Sequence, residues 1–483
     1  MISGIKKRQF GLIFFVELWE RWAFYGFQSL FILFITYKHL DETQAYLMFG
    51  VFAALLYLTP TIGGYIADKY LGIKRALIIG GLLMLAGYIF LSFAQSMNQT
   101  VLALSFIIVG NGLFKPTPSA LVSKIFNDNP TVSHSAFTLY YMAINIGSFF
   151  GIAITPMVAM YTSFSLSFLI SVIGMVIALT NFAWRYSILK DVNGEKDLIP
   201  ITFKVVFWTL FISAIQIALC YLLFKITDIS FYLIIALCII AVFYMLFDAL
   251  KVKNYKEKVM QIIGIFLVIE AVIYFIVYNQ MFSTLTLFAK HNMNLDLFGI
   301  TVTPATFAAL DALWLIALSP IFAKLYMSMN KRNIHLEIPF KYAIGTAISG
   351  IAFIVLVLVI KTTAIDGMIS GNWMILYYFF AATAELLIAA LGMSLISLYF
   401  REEVVTIGMG FFMLALAAGG ALAGKLGEFV AMPSTKLAAT SSLPIYTVYF
   451  EWVGAICLFL GVIYFIIAII LRRWARKNDI LLG

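Results

Sequence analysis

Glu17, Glu20 and Arg21 lie inside the apolar stretch that runs from Phe10 to about Tyr37. On a helix, Glu17 stands one turn from both Glu20 (i,i+3) and Arg21 (i,i+4), so the three share one flank. Charge buried in hydrocarbon is costly, and it is retained where it pairs internally, faces a cavity and serves function. Two carboxylates held by one guanidinium can take up or release a proton with little net change in charge, the property a proton-driven carrier requires. The competing reading is an ion cluster that only locks helices together. Lys115, in Gly110-Asn111-Gly112-Leu113-Phe114-Lys115-Pro116-Thr117-Pro118, is another charge deep in an apolar run. It suits the anionic group of a substrate, or an internal acid such as those of the first span, and both pairings can hold in different states of a cycle. The two prolines after it withdraw backbone donors and loosen the helix.

The second half of the chain carries Glu270, Asn279, Gln280, Asp311 and Glu385 within or beside apolar runs. Glu385, in Ala384-Glu385-Leu386-Leu387, is the best candidate for an acid facing the first-half lysine, and Asp311 is another buried acid. Tyr141 and Asn145 are one turn apart, and with Tyr25 and Tyr57 they could supply the directional polar contacts a ligand pocket needs. Taken singly, such residues more often join helices. Trp314 and Trp373 read as packing residues. His39, His134, His291 and His335 all fall near span ends or in loops, which leaves proton coupling to carboxylates. Cys220, Cys238 and Cys457 have no ligand-like spacing, so neither a metal site nor a disulfide framework is expected. No nucleophile constellation or phosphate loop is present, so an enzyme is not expected.

These side chains need a membrane-spanning framework. The chain is 63% hydrophobic and 11% charged, outside soluble-protein composition and typical of a multi-pass membrane protein. Fourteen apolar runs are long enough to cross a bilayer: 10–37, 45–67, 76–95, 100–123, 135–160, 163–187, 203–224, 229–249, 259–289, 303–329, 339–360, 372–399, 403–430 and 445–473. An even count puts both termini on one side. Placing them in the cytoplasm puts Lys6, Lys7, Arg8 and the basic loops at 69–75, 185–196, 251–258 and 331–341 there as well, together with Arg472, Arg473, Arg476 and Lys477. The net charge of +9 is thereby explained by cytoplasmic flanks facing membrane lipid, with no call for nucleic acid. The organisation is six spans, two, then six: an N-terminal bundle over 1–188, a linker with two extra lipid-facing spans over 189–256, and a C-terminal bundle over 257–483. Between the second and third spans, Gly63-Gly64 with Asp68, Lys69, Gly72, Lys74 and Arg75 forms a compact charged turn. The pattern resembles the loop between spans 2 and 3 of the major facilitator superfamily, which implies a conformational switch; the simpler reading is interfacial anchoring.

Several motifs together resemble one family. Glu17-x-x-Glu20-Arg21-Trp22-x-Phe24-Tyr25-Gly26, the Lys115 motif, Tyr141-x-x-x-Asn145-x-Gly147, Asn279-Gln280-Met281 with Leu285-Thr286-Leu287-Phe288-Ala289, and Glu385-Leu386 match, in order, proton-dependent oligopeptide transporters. This is a branch of the major facilitator superfamily, and within it the chain is most similar to the di- and tripeptide permeases of enteric bacteria. The resemblance implies an all-α major facilitator fold in the bacterial inner membrane. The implied function is proton-coupled import of di- and tripeptides by alternating access, by a monomer, with protons as the coupling ion and no cofactor. It assigns proton coupling to Glu17, Glu20, Arg21, Lys115 and Glu385. The peptide would contact Arg21, Tyr25, Tyr57, Lys115, Tyr141, Asn145, Asn279, Gln280, Asp311 and Glu385. Gly64, Asp68, Lys69, Lys74 and Arg75 would form the switch.

The chemistry agrees. The charged ends of a dipeptide are roughly 5–7 Å apart, so a cation in one bundle and an acid in the other can clamp it by its termini and tolerate varied side chains. The other cargoes considered are a peptide-like metabolite, an amino-acid derivative or nitrate; a non-transporting receptor or enzyme is the remote alternative. The chain departs from the family pattern at several positions. Phe24 stands for a tyrosine, Trp22 for a phenylalanine, Gln28 for an arginine, Asn279 for that arginine's acidic partner, Ala389 for a serine, Phe412 for a tryptophan and Asp311 for an asparagine. Glu270 has no role in the pattern.

Overall fold

Backbone polar groups inside hydrocarbon have no water to bond, so apolar runs of this length must satisfy them internally as helices. The computed structural model describes residues 4–38, 41–127, 130–332, 336–433, 437–478, 480 and 482, and it is almost entirely helical. In chain order, α1 is Gly4–Tyr37, α2 Glu42–Ile66, α3 Ile73–Ser92, α4 Met97–Phe114, α5 Pro116–Ile125, α6 Pro130–Tyr161, α7 Phe164–Trp184, α8 Phe203–Lys225 and α9 Thr227–Lys251. There follow α10 Tyr255–Asn279, α11 Thr284–Asn292, α12 Ala309–Lys331, α13 Ile338–Thr363, α14 Met374–Ile388, α15 Gly392–Tyr399, α16 Val405–Gly427 and α17 Ala439–Lys477. Some of these join end to end, and 13 of the resulting helical passages are long and apolar enough to cross a membrane among the described residues. α1, 34 residues long with the charged triad in its middle, is not one of these 13. The molecule is a multi-pass membrane protein. Short strands occur in the loops of the second half. β1 (Met293–Asn294) pairs in parallel with β4 (Ile369–Ser370), and β2 (Asp296–Leu297) pairs antiparallel with β3 (Ile300–Thr301).

Two compact units make up the chain. The first comprises residues 1–38 and 51–230, the second residues 39–50 and 231–483. In the first, α1 packs on α6 and α7, and α3 on α4 and α7. Its centre is aromatic, with Phe27 and Phe31 against Phe52, and Phe27 also against Tyr88 and Phe168. In the second, α13 packs on α14 and α17, and α10 on α16. Phe288, Tyr446, Phe450 and Phe353 fill its middle. The two extra spans sort separately. α8 packs on α4 in the first unit. α9 belongs to the second, where Arg401 and Gln261 both bond Asp248 at 2.7 and 2.8 Å. Both expose most of their apolar surface, with only 22% and 17% of their most apolar windows buried, as lipid-facing helices do. Also in the second unit, Glu42 at the start of α2 accepts from the Met432 amide at 2.9 Å and meets His291 at 2.6 Å.

The turn after α2 is a single wide helical turn, Ala67–Leu71, that ends at Gly72 with φ 91°. A side chain is strained at that φ, and a Cβ there would come within 2.4 Å of Asp197 Oδ1. Asp197 belongs to the segment after α7, and its carboxylate accepts from the amides of Ile73 and Lys74, both at 3.2 Å, so it caps α3 from outside. Lys74 and Arg75 complete the clasp. The Lys74 ammonium donates to Leu189 O and to Asn193 Oδ1, and the Arg75 guanidinium donates to Lys196 O and Ile199 O. Asp68 and Lys69 are exposed. Replacing Asp197 by Ala is expected to cost about 1 kcal/mol locally and to speed amide exchange at Ile73 and Lys74 roughly fivefold. Unchanged exchange in that variant would mean that these amides are held by something else.

Candidate functional site

In the first unit, Glu17, Glu20 and Arg21 are 3%, 0% and 4% exposed, so their charges must be balanced internally. Arg21 binds Glu20 through two nitrogens, Nε to Oε2 and Nη2 to Oε1, the second at 2.7 Å. Glu17 Oε1 lies 3.4 Å from Arg21 Nε, closing the i,i+4 pair that helix spacing predicts. The Arg21 guanidinium also lies over the rings of Phe24 and Tyr25, at 5.1 and 5.9 Å, so its apolar faces are covered as well as its edges. Tyr140, buried on α6, approaches Glu17. Tyr141 is half-buried one position along, and Asn145 is buried one turn further. Sequence reasoning named Tyr141 and passed over Tyr140, because a tyrosine pair in a helix does not say which hydroxyl meets the acid.

Glycines set how closely these helices approach. A Cβ on Gly147 of α6 would come within 2.3 Å of the Leu18 carbonyl and 3.1 Å of Arg21 Cβ, so α6 lies directly against the charged turn of α1. Gly63 and Gly112 play the same part where α2 meets α4, with Gly112 O only 2.1 Å from a Cβ placed on Gly63. Thr59 reinforces that crossing by donating to Ile108 O at 3.1 Å. Lys115 stands at the junction of α4 and α5, with Pro116 as the first residue of the new helix. Its ammonium lies 4.8 Å from the centre of the Tyr57 ring. Among the described residues it makes no ion pair with Glu17 or Glu20, so its charge is held against an aromatic face.

In the second unit, Asp311 of α12 and Glu385 of α14 line one small cavity of about 20 Å³. Their two carboxyls lie near enough to feel each other's charge. Tyr274, Tyr278 and Met281 close the cavity from the α10 side, Tyr377 and Tyr378 from α14, and Ser349 from α13. Two helices break beside it. α10 ends at Asn279 in the turn Gln280–Phe282, and α14 gives way to the turn Ala389–Leu391 shortly after Glu385. Asn279 and Gln280 are engaged at the first break. Asn279 Nδ2 donates to Phe275 O at 2.7 Å, Gln280 Nε2 to Ile276 O at 3.2 Å, and Gln280 Oε1 accepts from the Tyr449 hydroxyl at 3.0 Å. Neither is among the residues that line the cavity.

The first unit thus buries an acid–arginine cluster with Lys115 on a tyrosine face, and the second holds two acids in a cavity lined by tyrosines. The family model described as POT family matches residues 74–443. The chain belongs to the POT family. Dipeptide and tripeptide permease A of Edwardsiella piscicida is 35% identical over 454 residues, 93% of this chain and 91% of the relative. A solved structure of a proton dependent oligopeptide transporter is similar with a TM-score of 0.87 at 29% identity, covering 97% of this chain and 99% of the other. A mutant of peptide transporter POT in complex with alafosfalin gives a TM-score of 0.82 at 26% identity, covering 98% and 96%. The major facilitator fold expected from the sequence is thereby established over nearly the full length.

The tight seat of α6 on α1 makes a direct prediction. Gly147→Ala forces the Leu18 carbonyl and Arg21 apart and is expected to destabilise the first unit by about 1–3 kcal/mol, as overpacking does. A thermal-shift measurement in detergent checks this, and a variant as stable as the parent would show that the two helices can separate freely.

Proposed function

We propose that this chain is a proton-coupled symporter that imports di- and tripeptides across the bacterial inner membrane by alternating access. Both termini face the cytoplasm, and the monomer is the transporting unit. Protons are the coupling ion and no cofactor is called for. The observation that carries the reading is the buried Glu17–Glu20–Arg21 cluster with Lys115 held nearby on the face of Tyr57 and not in an ion pair.

A peptide is a zwitterion. Its carboxylate suits Arg21 and Lys115, with Tyr25, Tyr57, Tyr141 and Asn145 as polar neighbours. Its ammonium suits Asp311 and Glu385. Asn279 and Gln280 shape the broken helix whose Met281 lines the acid cavity. When the peptide carboxylate draws Arg21 away, Glu17 and Glu20 lose their countercharge, and a buried acid without a cation takes a proton. Peptide and proton therefore arrive together. Release of the peptide returns Arg21 to the acids, which expels the proton. The loop that carries Gly64, Asp68, Lys69, Lys74 and Arg75 serves as the switch, with Lys74 and Arg75 already bound to the segment after α7. The molecule is a carrier, not an enzyme.

Uptake of labelled di- and tripeptides into proteoliposomes, with and without an inward proton gradient, tests the reading. Competition by unlabelled dipeptide, and none by free amino acids or nitrate, is the expected pattern. Glu20→Gln and Lys115→Ala are expected to abolish uphill uptake; a well-folded variant of either kind that still concentrates dipeptide would remove that residue from the coupling site. Glu385→Gln is expected to weaken dipeptide binding about tenfold or more, the loss of a charged contact of about 1.5–3 kcal/mol. Unaltered affinity would exclude it from the peptide site.

A further inference from the structure

Glu270 lies on α10, one turn before Tyr274, and is only 2% exposed. Among the described residues it has no ion-pair or hydrogen-bond partner, and its Oε2 is fully buried. α10 packs here on α13 and α15, and Tyr342 of α13, Tyr399 of α15 and Tyr464 of α17 lie within electrostatic reach of the carboxyl. Among the described residues no lysine or arginine pairs with it. Tyr399 is committed, donating to Leu482 O at 2.7 Å. The Tyr342 hydroxyl and, one turn along the same helix, the Thr346 hydroxyl are both buried without partners. Next in order on the two helices come Tyr274 and Ser349, and these line the cavity that holds Asp311 and Glu385.

This arrangement differs from the first-unit cluster in kind. There the acids are balanced by Arg21. At Glu270 nothing balances a negative charge, and an unpaired carboxylate in an apolar interior costs several kcal/mol. A lasting neutral role would need no acid, since a glutamine or an apolar residue fills the same volume. Hydroxyls that can donate or accept suit either state of a carboxyl, and they lead toward the cavity one turn away. A divalent cation is a poor fit, because one carboxylate and two hydroxyls fall short of the oxygens it takes.

We propose that Glu270 is a separate proton-binding carboxyl, loaded and emptied through the cavity that Asp311 and Glu385 line during each transport cycle. The step is proton transfer alone: the carboxylate gains one proton from that side and later returns it, with no bond to carbon or nitrogen made or broken. The proposal rests on the proton-coupled reading above and adds a second site to it, in the other unit from Glu17 and Glu20.

The test uses the full chain in lipid. In proteoliposomes Glu270→Gln is expected to keep dipeptide exchange at equal pH within about twofold. Its limiting accumulation under an inward gradient should fall about tenfold per pH unit, which is the loss of one coupled proton. Accumulation equal to that of the parent at every gradient overturns the proposal. Infrared difference spectra provide a readout that needs no peptide. A neutral carboxylic-acid band that changes with pH in the parent and is missing from Glu270→Gln is expected, whereas a missing band that never varied with pH marks a fixed structural acid and overturns the idea. Should Glu270→Gln not fold, Tyr342→Phe is expected to shift the pH response of that band, and an unshifted response overturns the proposal equally. A parent chain that takes up no dipeptide would defeat the peptide-symport reading while leaving the infrared result to stand by itself.

Discussion

The first unit depends on one arginine being unable to leave two glutamates unless something takes its place. Isolated charges of this kind cannot be carried into hydrocarbon, and removing one partner of a buried pair typically costs about 3–5 kcal/mol because the other is stranded. Arg21 meets the requirement from several directions, with carboxylates at its edge and the rings of Phe24 and Tyr25 over its faces. The glycine of α6 that touches Leu18 and Arg21 keeps this cluster closed from the side.

The second unit handles polarity differently. Asp311 and Glu385 approach each other with no basic residue lining their cavity, and the walls are phenols. The breaks at Gln280–Phe282 and Ala389–Leu391 bring unwound backbone to the same neighbourhood, and irregular backbone at membrane depth is tolerated where it is enclosed by protein or lines a cavity.

Much of this could be read from the residues in order, because lipid imposes length on helices and cost on charge. Thirteen of the fourteen expected spans coincide with helices long and apolar enough to cross a membrane among the described residues, and the span expected over 10–37 falls on α1. The larger differences are at Gly4 of α1 and Ala439 of α17, where the helix starts earlier than expected, and at Ile388, where α14 breaks inside the span expected over 372–399. The interruption at Lys115 was legible because Pro116 and Pro118 announce it. The breaks after Asn279 and Ile388 carry no proline and were not. The role of Asp197 was hidden for a different reason: it caps a helix that begins 124 residues earlier in the chain, and no local pattern encodes that pairing. Asn279 and Gln280 illustrate the converse, since polar side chains at a helix end find their own backbone first.

Two ways of keeping an acid in an apolar interior are therefore present in one chain, and they have different consequences. Glu17 and Glu20 are kept by a cation, the Arg21 guanidinium, so a change in either must be balanced by the other. Glu270 is kept by nothing but phenols and burial, so its charge can only appear when its surroundings admit water or a cation. Because α10 carries Glu270 and also runs into the break beside the acid cavity, movement of that helix would reach both at once.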